Sequence, residues 1–322
     1  MDTNSETETR RSVCPLDCPD TCSLSVTTAA GRVLEVRGSS DNPYTAGVIC
    51  NKVARSYSDF VHGPVRLTHP LRRTGEKGAG VFEIVSWDEA LDIVHEGFSR
   101  AIENHGPQSV IPLNYAGPHG ELAGGSMDRR FFYKLGATLL NRGPLCGIVR
   151  GTAYTSLFGE APGMAPEQAQ HADLIVVWGN NVTVSNLHLA RVIKTARGQG
   201  GRLIVIDPKR TKIAEQADLH LQVKPGTDVV LGLALAAELE RRGAFDQTFI
   251  DEWVLGIDAY MVEARQYTIE HVAEVCGLSR EQFHEMVSWY LAAKRVAVSV
   301  GNGIERSEEH TSELRHVVIS YA

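Results

Sequence analysis

The chain has 322 residues, of which 43% are hydrophobic and 22% charged, and its formal net charge is −7. These proportions are typical of a chain that buries a core, and the length suggests two or three domains. An acidic chain without a run of basic residues is a poor candidate for nucleic-acid binding. The sequence has no stretch of about 18 apolar residues, so no transmembrane helix is predicted.

The first residues, 1–11, are polar and are predicted to form a disordered leader. Arg10-Arg11 would suit twin-arginine export, but cysteines follow them instead of an apolar segment. We therefore expect a cytoplasmic protein. In that reducing compartment the six cysteines of the chain are not expected to form disulfides.

Four of the cysteines lie close to the N-terminus, at Cys14, Cys18, Cys22 and Cys50. Thiolates are preferred ligands of iron–sulfur clusters and of structural zinc. Three cysteines at four-residue intervals with a distant fourth favour a 4Fe-4S cluster, because zinc ligands usually come in close pairs. Zinc and unligated core cysteines are the alternatives. Lys52 lies either beside this centre or in solvent.

Residues 24–27 and 33–36 alternate between apolar and polar side chains, which predicts a β-hairpin. The cysteines lie on the approaches to this hairpin. Together they predict a small N-terminal iron–sulfur domain over residues 12–66.

A helix is predicted to begin after Ser86, because Glu89 completes a capping box. Residues 110–113 are predicted to form a strand, and residues 121–140 a second helix. These elements would make up the first part of a mixed α/β domain over residues 67–156. The first helix carries apolar residues at helical spacing: Trp87, Leu91, Val94, Phe98 and Ile102.

Continuous apolar runs at 174–178, 203–206 and 296–300 predict strands that are buried on both faces. Helical segments at 187–198 and 227–242 follow the first two runs. Alternating strands and helices of this kind predict a parallel α/β sheet. We therefore predict a Rossmann-like three-layer αβα domain over residues 157–306.

Polar and glycine residues follow these strands, where ligands of open α/β sheets bind. The sequence has no Gly-x-Gly-x-x-Gly signature, so a nicotinamide-binding fold is a weaker interpretation. The alternative is that residues 226–228 only cap a helix and residues 179–180 only form a turn. The candidate cofactor-binding residues are Trp178, Gly179, Asn180, Asn181, Ser185, Asp207, Thr211, Gly226, Thr227 and Asp228.

The N-terminal motif resembles a known family. The resemblance is carried by Cys-Pro-Leu-Asp-Cys-Pro-Asp-Thr-Cys at 14–22 and Gly-Val-Ile-Cys-Asn-Lys at 47–52. This pattern is similar to the opening of the molybdopterin oxidoreductases of the dimethyl-sulfoxide-reductase superfamily, which includes formate dehydrogenases and nitrate reductases. The resemblance extends over about 12–306.

This resemblance implies two-electron redox chemistry on a small-molecule substrate at molybdenum or tungsten. The metal would be held by two molybdopterin guanine dinucleotides, and a 4Fe-4S cluster would relay the electrons. In the family a lysine at the position of Lys52 lies between cluster and pterin. The three strand-end segments of the candidate list would surround one dinucleotide.

Further residues follow from the same resemblance. The segment 141–147, with Ala153 and Phe158-Gly159 after it, is similar to the nitrate-reductase branch and implies that Cys146 ligates the metal. A small core cysteine is the alternative. The glycine-rich loop 114–120 would face the metal pocket, where His119 is either a proton donor or a turn residue.

The resemblance also implies an electron donor or acceptor protein or subunit as partner. Two other functions stay open: a non-catalytic iron–sulfur electron-transfer subunit on the same scaffold, and a zinc-stabilised nucleotide-binding module. Residues 307–322 resemble a translated sequencing adapter. We therefore expect the native sequence to end near Arg306 and the chain to be an N-terminal fragment.

Overall fold

The computed structural model describes residues 7–16, 18–113, 127–139 and 147–304. The chain divides into two compact units, Met1–Arg142 and Gly143–Ala322. The domain boundaries predicted after residues 66 and 156 divide the chain into more parts than these two units. They stay predictions. In the part of the chain that is described, no helix is long and apolar enough to cross a membrane.

The first unit opens with a three-stranded antiparallel sheet of β1 (Glu8–Val13), β2 (Ser23–Ala29) and β3 (Arg32–Gly38). Strands β2 and β3 pair Val26 with Val36, which confirms the predicted hairpin. The sheet is followed by α1 (Asn51–His62).

Strand β1 corrects one prediction, because residues 8–11 form part of a strand and not of a disordered leader. All side chains of β1 are exposed, so the strand lacks the apolar alternation by which strands are recognised in a sequence. It is held by backbone pairing with β2, from Glu8 opposite Thr28 to Val13 opposite Ser23.

The described residues in the rest of the first unit form a two-stranded sheet and two α-helices. The elements are β4 (Leu71–Arg73), β5 (Phe82–Ile84), α2 (Trp87–His105) and α3 (Met127–Leu135). The Ser86 hydroxyl accepts a hydrogen bond from the Glu89 backbone N–H at 3.1 Å, which confirms the predicted start of α2. The Glu89 carboxylate pairs with Arg72 and does not complete the predicted capping box.

The predicted helix 121–140 is confirmed over α3, while residues 121–126 and 140 lie outside the described residues. The prediction of a strand at residues 110–113 is wrong. Pro107–Ser109 form a short 3-10 helix, and residues 110–113 join none of the sheets formed by the described residues. Ile111 and Leu113 are exposed, so this apolar run is not a buried strand.

The second unit is built on a parallel four-stranded sheet in the order β8-β7-β6-β9. The strands are β6 (Leu174–Trp178), β7 (Arg202–Ile206), β8 (Leu219–Leu221) and β9 (Val296–Val300). The predicted strands at 174–178, 203–206 and 296–300 are therefore confirmed, and β8 is an addition to them.

Helices surround this sheet. The predicted helices at 187–198 and 227–242 correspond to α6 and α7. The helices of the second unit are α4 (Ile148–Phe158), α5 (Val182–Ser185), α6 (Leu187–Gly198), α7 (Asp228–Arg241), α8 (Gln247–Trp253), α9 (Ile257–Ala264), α10 (Ile269–Cys276) and α11 (Arg280–Ala292).

The core of the second unit lies between the sheet and its helices. Val176 and Ile204 of the sheet share a buried cluster with Leu231 of α7, Val272 of α10 and Phe283 of α11. Helix α6 also contacts β7. The buried residues of α6 are not members of this cluster. The strands are thus covered on both faces, and the fold is the predicted α/β class with a Rossmann-like αβα unit.

Candidate cluster-binding and cofactor-binding sites

The four N-terminal cysteines lie on two loops of the first unit. Cys14, Cys18 and Cys22 belong to the loop between β1 and β2, and the Cys14 N–H donates to the Cys22 carbonyl at 2.9 Å across its base. Cys50 is the residue before α1 and occupies its N-cap position. The antiparallel pairing of β1 with β2 therefore closes the loop, and α1 fixes the fourth cysteine.

Electrostatic interactions link the four thiols. Burial, as the largest cause, together with Asp20 and the other three cysteines raises the pKa of the Cys22 thiol to about 12. Burial also raises the pKa of Cys14, with smaller contributions from Cys18 and Cys50. Neighbouring thiolates thus disfavour ionisation of Cys14 and Cys22. Binding a metal centre would displace their protons and supply the missing positive charge.

The surroundings of the thiols are partly apolar. Cys22, Leu24 and Val53 form a buried cluster, against which Cys14 and Cys50 pack. Among the described residues, no group of three or more His, Cys, Asp or Glu side chains is placed to hold a single metal ion. An iron–sulfur cubane spreads its thiolate ligands over several iron atoms, so its ligands do not converge on one point. An all-thiol donor set in an apolar shell fits such a centre.

Lys52 and Tyr57 lie beside this site on α1. Lys52 is exposed, but its charge offsets part of the rise in the pKa of the Cys14 thiol that burial causes. Burial raises the pKa of the Tyr57 hydroxyl, with a contribution from Cys14. Sequence reasoning missed Tyr57, although its spacing of four residues from Val53 places both on one face of α1.

Backbone strain is present in both cysteine-bearing loops. Thr21 and Ala46 have positive φ angles of 42° and 46°. Residues with a Cβ rarely adopt this region, and they persist there only where the surrounding structure requires it. The strained positions lie one residue before Cys22 and four before Cys50, so the path of each loop is constrained close to its thiol.

The second candidate site is the edge of the parallel sheet formed by the carboxyl ends of its strands, which we call the carboxyl edge. The register places Trp178 opposite both Ile206 and Val300, and Ile206 opposite Leu221. The four strands therefore end at one level. Gly179 continues the ladder, because its N–H donates to the Ile206 carbonyl at 2.9 Å.

Trp178 and Asp228 bind each other at this edge. The Trp178 indole N–H donates to the Asp228 carboxylate at 2.7 Å, and both side chains are buried. The bond joins the end of β6 to the first residue of α7. These two candidate residues are therefore structural partners, and the indole N–H is already engaged.

The loops after β6 and β9 approach each other closely. The Asn180 side chain donates to the Ser299 hydroxyl at 2.9 Å, and the Gly301 N–H donates to the Trp178 carbonyl at 2.8 Å. A Cβ at Gly301 would lie 2.3 Å from the Gly179 carbonyl oxygen. Sequence reasoning missed Ser299 and Gly301, since only the tertiary fold brings them to residues 179–180.

This approach leads to a prediction for Gly301→Ala. The added methyl group must push the two loops apart, so we expect the free energy of unfolding to fall by about 1–3 kcal/mol. Gly198→Ala is the control, because a Cβ there would meet nothing within 4 Å and alanine favours the helix by about 1 kcal/mol. Urea unfolding of both variants tests this prediction, and equal stability of the two would contradict it.

Asp207 and Thr211 lie in the loop after β7. The Asp207 carboxylate accepts from the Lys209 N–H at 2.8 Å, which forms a tight turn, and its backbone carbonyl pairs with the His220 ring at 2.9 Å. Thr211 is buried, and its hydroxyl accepts from the Ala214 N–H at 3.3 Å. Asp207 is thus the more accessible of the two, with Lys209 exposed beside it.

Residues 226–228 form the turn that leads into α7. Gly226 has a positive φ of 84°, which glycine adopts without strain. The Thr227 hydroxyl donates to the Lys224 carbonyl at 2.7 Å and makes no capping bond to α7. The alternative of a side-chain helix cap at Thr227 is therefore not realised.

Other candidate residues are more exposed or lie outside the described residues. Ser185 is exposed at the end of α5, and the Asn181 side chain accepts from the Thr183 hydroxyl at 3.0 Å. Cys146 and His119 are outside the described residues. Cys276 is fully buried in the core of the second unit, where it packs as a small apolar residue.

Arg150 ties the start of α4 to the carboxyl edge. Its guanidinium donates to the Val300 carbonyl, the last of β9, at 2.8 Å. Gly147 is the N-cap of α4, and Cys146 directly precedes it in the sequence. Sequence reasoning missed Arg150, because no local pattern relates α4 to β9.

Comparison with known proteins agrees with this arrangement. The model of the molybdopterin oxidoreductase Fe4S4 domain matches residues 7–62, and that of molybdopterin oxidoreductase matches residues 66–319. The first match covers all four N-terminal cysteines and favours the cluster over zinc. The second match extends into the segment 307–322.

Curated relatives and a solved structure are consistent with these matches. The Bacillus subtilis protein named Probable oxidoreductase YoaE is 35% identical over 293 residues, which are 91% of this chain and 43% of that protein. Dimethyl sulfoxide reductase DmsA of Escherichia coli is 31% identical over 280 residues, which are 80% of this chain and 33% of that protein. Acetylene hydratase from Pelobacter acetylenicus shares the fold with a TM-score of 0.77 at 23% identity, covering 96% of this chain and 42% of that one.

The chain thus spans less than half the length of these relatives. These matches confirm the predicted family, including its Fe4S4 domain. Because a family model matches most of its length, the chain belongs to the molybdopterin oxidoreductase family and carries that family's 4Fe-4S domain at residues 7–62.

Proposed function

We propose that this chain is the N-terminal part of an enzyme that performs two-electron redox chemistry on a small-molecule substrate at molybdenum or tungsten. The observation that carries the proposal is the set of four interacting thiols within the segment matched by the Fe4S4 domain model. The bound metal and its pterin would supply oxygen-atom or hydride transfer. The protein supplies placement and electrostatics.

In this proposal Cys14, Cys18, Cys22 and Cys50 hold the 4Fe-4S cluster, which passes electrons singly. The charge of Lys52, which already acts on Cys14, offsets part of the negative charge of the thiolates. By family resemblance we also propose Lys52 as part of the electron path to the pterin. A separate protein or subunit would donate or accept the electrons.

The carboxyl edge is proposed to bind one of two molybdopterin guanine dinucleotides. Asp207 would accept hydrogen bonds from ribose hydroxyls or from the guanine edge, and backbone N–H groups at residues 226–228 would meet a phosphate or base. Asn180 and Asn181 would provide further polar contacts. Cys146 is proposed to ligate the metal, and His119 to donate a proton, both by family resemblance.

Asp207→Ala tests the nucleotide part of this proposal. Removing the carboxylate takes away hydrogen bonds worth about 1.5–3 kcal/mol, so we expect retention of the dinucleotide to weaken at least about tenfold. The measurement is the guanosine monophosphate released per chain by acid hydrolysis of cofactor-loaded protein, with iron content as an internal reference.

The matched control is Asp173→Ala, because Asp173 lies directly before β6 at the opposite edge of the same sheet. Its carboxylate pairs with the Arg295 guanidinium and accepts from the Lys294 and Arg295 backbone N–H groups, all at that opposite edge. We expect this variant to release as much nucleotide as the unmodified protein. Equal losses in both variants would argue against a nucleotide site at Asp207.

Metal analysis of the anaerobically purified protein tests the enzymatic proposal. The enzyme requires iron together with molybdenum or tungsten, whereas an electron-transfer subunit requires iron alone. Iron without either heavier metal, in protein from a host that makes the pterin, would favour the non-catalytic subunit.

A further inference from the structure

Helix α1 carries one of the four candidate cluster ligands and buries little of its own surface. The Cys50 carbonyl accepts from the Val53 and Ala54 N–H groups at 3.1 and 3.0 Å, so the backbone of Cys50 belongs to the first turn of α1. Of the 12 residues of α1, all of them described, Val53 alone is buried. Because helices in proteins are stabilised mainly by packing, this single buried residue secures α1 only weakly.

Two polar side chains hold the other end of α1 to the sheet. The Val33 N–H donates to Nε2 of His62 at 2.9 Å, and the Ser58 hydroxyl donates to the Val33 carbonyl at 3.2 Å. Ser58 and His62 are four residues apart, so they lie on one face of α1. We call these two hydrogen bonds the Val33 clamp.

The Val33 clamp lies at the edge of the antiparallel sheet. Strand β3 is the outer strand of the sheet that the described residues form, with β2 on its other side. The outward backbone groups of an edge strand need partners, and both partners of Val33 come from α1. At this point α1 therefore takes the place that a further strand would occupy.

We propose that Ser58 and His62 are positioning residues for the cluster, which keep Cys50 in place through α1, and that protonation of His62 opens half of the clamp. The inference rests on the proposed cluster at the four N-terminal cysteines. The apolar cluster that includes Val53 and Tyr57 secures the first half of α1, and the Val33 clamp secures the second half. Without the clamp α1 leaves the sheet more often, and Cys50 leaves with it.

The proton dependence follows from the direction of one hydrogen bond. Nε2 of His62 accepts from a backbone N–H, so the neutral ring carries its proton on Nδ1. A proton on Nε2 removes the acceptor and sets two donors against each other. Histidine side chains change charge between about pH 5 and about pH 8. The bond to Val33 is thus present at the upper end of this range and is lost as the pH falls.

The surroundings of the ring do not replace the lost bond. His62 is in the last turn of α1, where the helix dipole favours a cation, but that interaction lies within α1 and does not hold it to β3. Strand β2 carries no charged residue. The charged side chains that flank the clamp are all exposed, and they are Arg55 and Asp59 on α1, Arg66 after it, and Arg32, Glu35 and Arg37 on β3.

The experiment measures the rate at which the anaerobically purified 322-residue chain loses iron to excess EDTA, at about pH 8 and at about pH 5.5. His62→Phe keeps an aromatic ring without an acceptor, so iron loss at the higher pH should become about twofold to tenfold faster. His62→Gln supplies an amide oxygen that accepts from the Val33 N–H and does not titrate. It should lose iron as slowly as the unmodified chain at the higher pH, and about twofold to tenfold more slowly at the lower pH.

Two further variants separate the halves of the clamp from general effects. Ser58→Ala removes the bond that does not titrate, so iron loss should speed up by the same factor at both pH values. His69→Gln is the matched control, because His69 is exposed and its ring bonds the neighbouring Thr68 hydroxyl. We expect His69→Gln to change neither rate.

The outcomes distinguish this inference from the proposed function. An unmodified chain that binds no iron would refute the proposed cluster, and the inference with it. Iron that is bound and then lost at equal rates by the unmodified chain, His62→Phe and Ser58→Ala would overturn the inference alone. An identical pH dependence in the unmodified chain and His62→Gln, or an equal change in His69→Gln, would refute the role of the His62 proton.

Discussion

Cys22→Ala is expected to abolish iron binding by the purified chain, from about four iron atoms to fewer than one. Cys22 is the most buried of the four candidate ligands, and its thiol interacts with the other three. Without it, one iron of the cluster lacks its protein ligand, and the remaining thiols lie around an incomplete site. Iron and acid-labile sulfide content, measured after anaerobic purification, test this expectation.

The control for this variant is Cys276→Ala. Cys276 is equally a buried cysteine, but it lies in the core of the second unit. Its loss should cost about 1 kcal/mol of stability through a small cavity, with the iron content unchanged. Iron retained in Cys22→Ala, or lost to the same extent in Cys276→Ala, would contradict the assignment of the N-terminal cysteines.

Asp228→Ala is expected to lower the free energy of unfolding by about 1–4 kcal/mol. The substitution leaves the buried Trp178 indole N–H without its acceptor, which costs about 1–3 kcal/mol. It also removes a negative charge from the first turn of α7, worth about 0.3–1 kcal/mol. Chemical unfolding monitored by tryptophan fluorescence measures the change.

Asp258→Ala separates these two contributions. Asp258 also lies in the first turn of a helix, α9, but it is exposed. The interaction with the helix dipole and a surface interaction with the Arg265 charge are lost there, so the change should stay below about 1 kcal/mol. Similar losses in both variants would show that the bond between Trp178 and Asp228 contributes nothing beyond the helix dipole.

The parallel sheet was predictable from the sequence because its strands are buried on both faces. Continuous apolar runs such as 174–178 have few interpretations when helices alternate with them. The same reasoning failed at 110–113, because an apolar run outside a sheet has the same local pattern. It failed again at residues 8–11, where pairing through the backbone leaves no apolar alternation in β1.

The candidate sites were predictable where one segment carries several functional residues. The cysteine spacing at 14–22 is a local property, and the structure brings Cys50 to it through α1. Arg150, Ser299 and Gly301 were missed because their partners are distant in the sequence. The engagement of Trp178 by Asp228 was missed for the same reason, since 50 residues separate the two side chains.

The most direct test of the central claim is electron paramagnetic resonance of the anaerobically purified chain, before and after reduction with dithionite. A 4Fe-4S cluster held by Cys14, Cys18, Cys22 and Cys50 predicts a brown protein with about four iron atoms per chain. On reduction it should give a paramagnetic signal that is absent from Cys22→Ala. A colourless protein with one zinc ion and no signal in either state would contradict it.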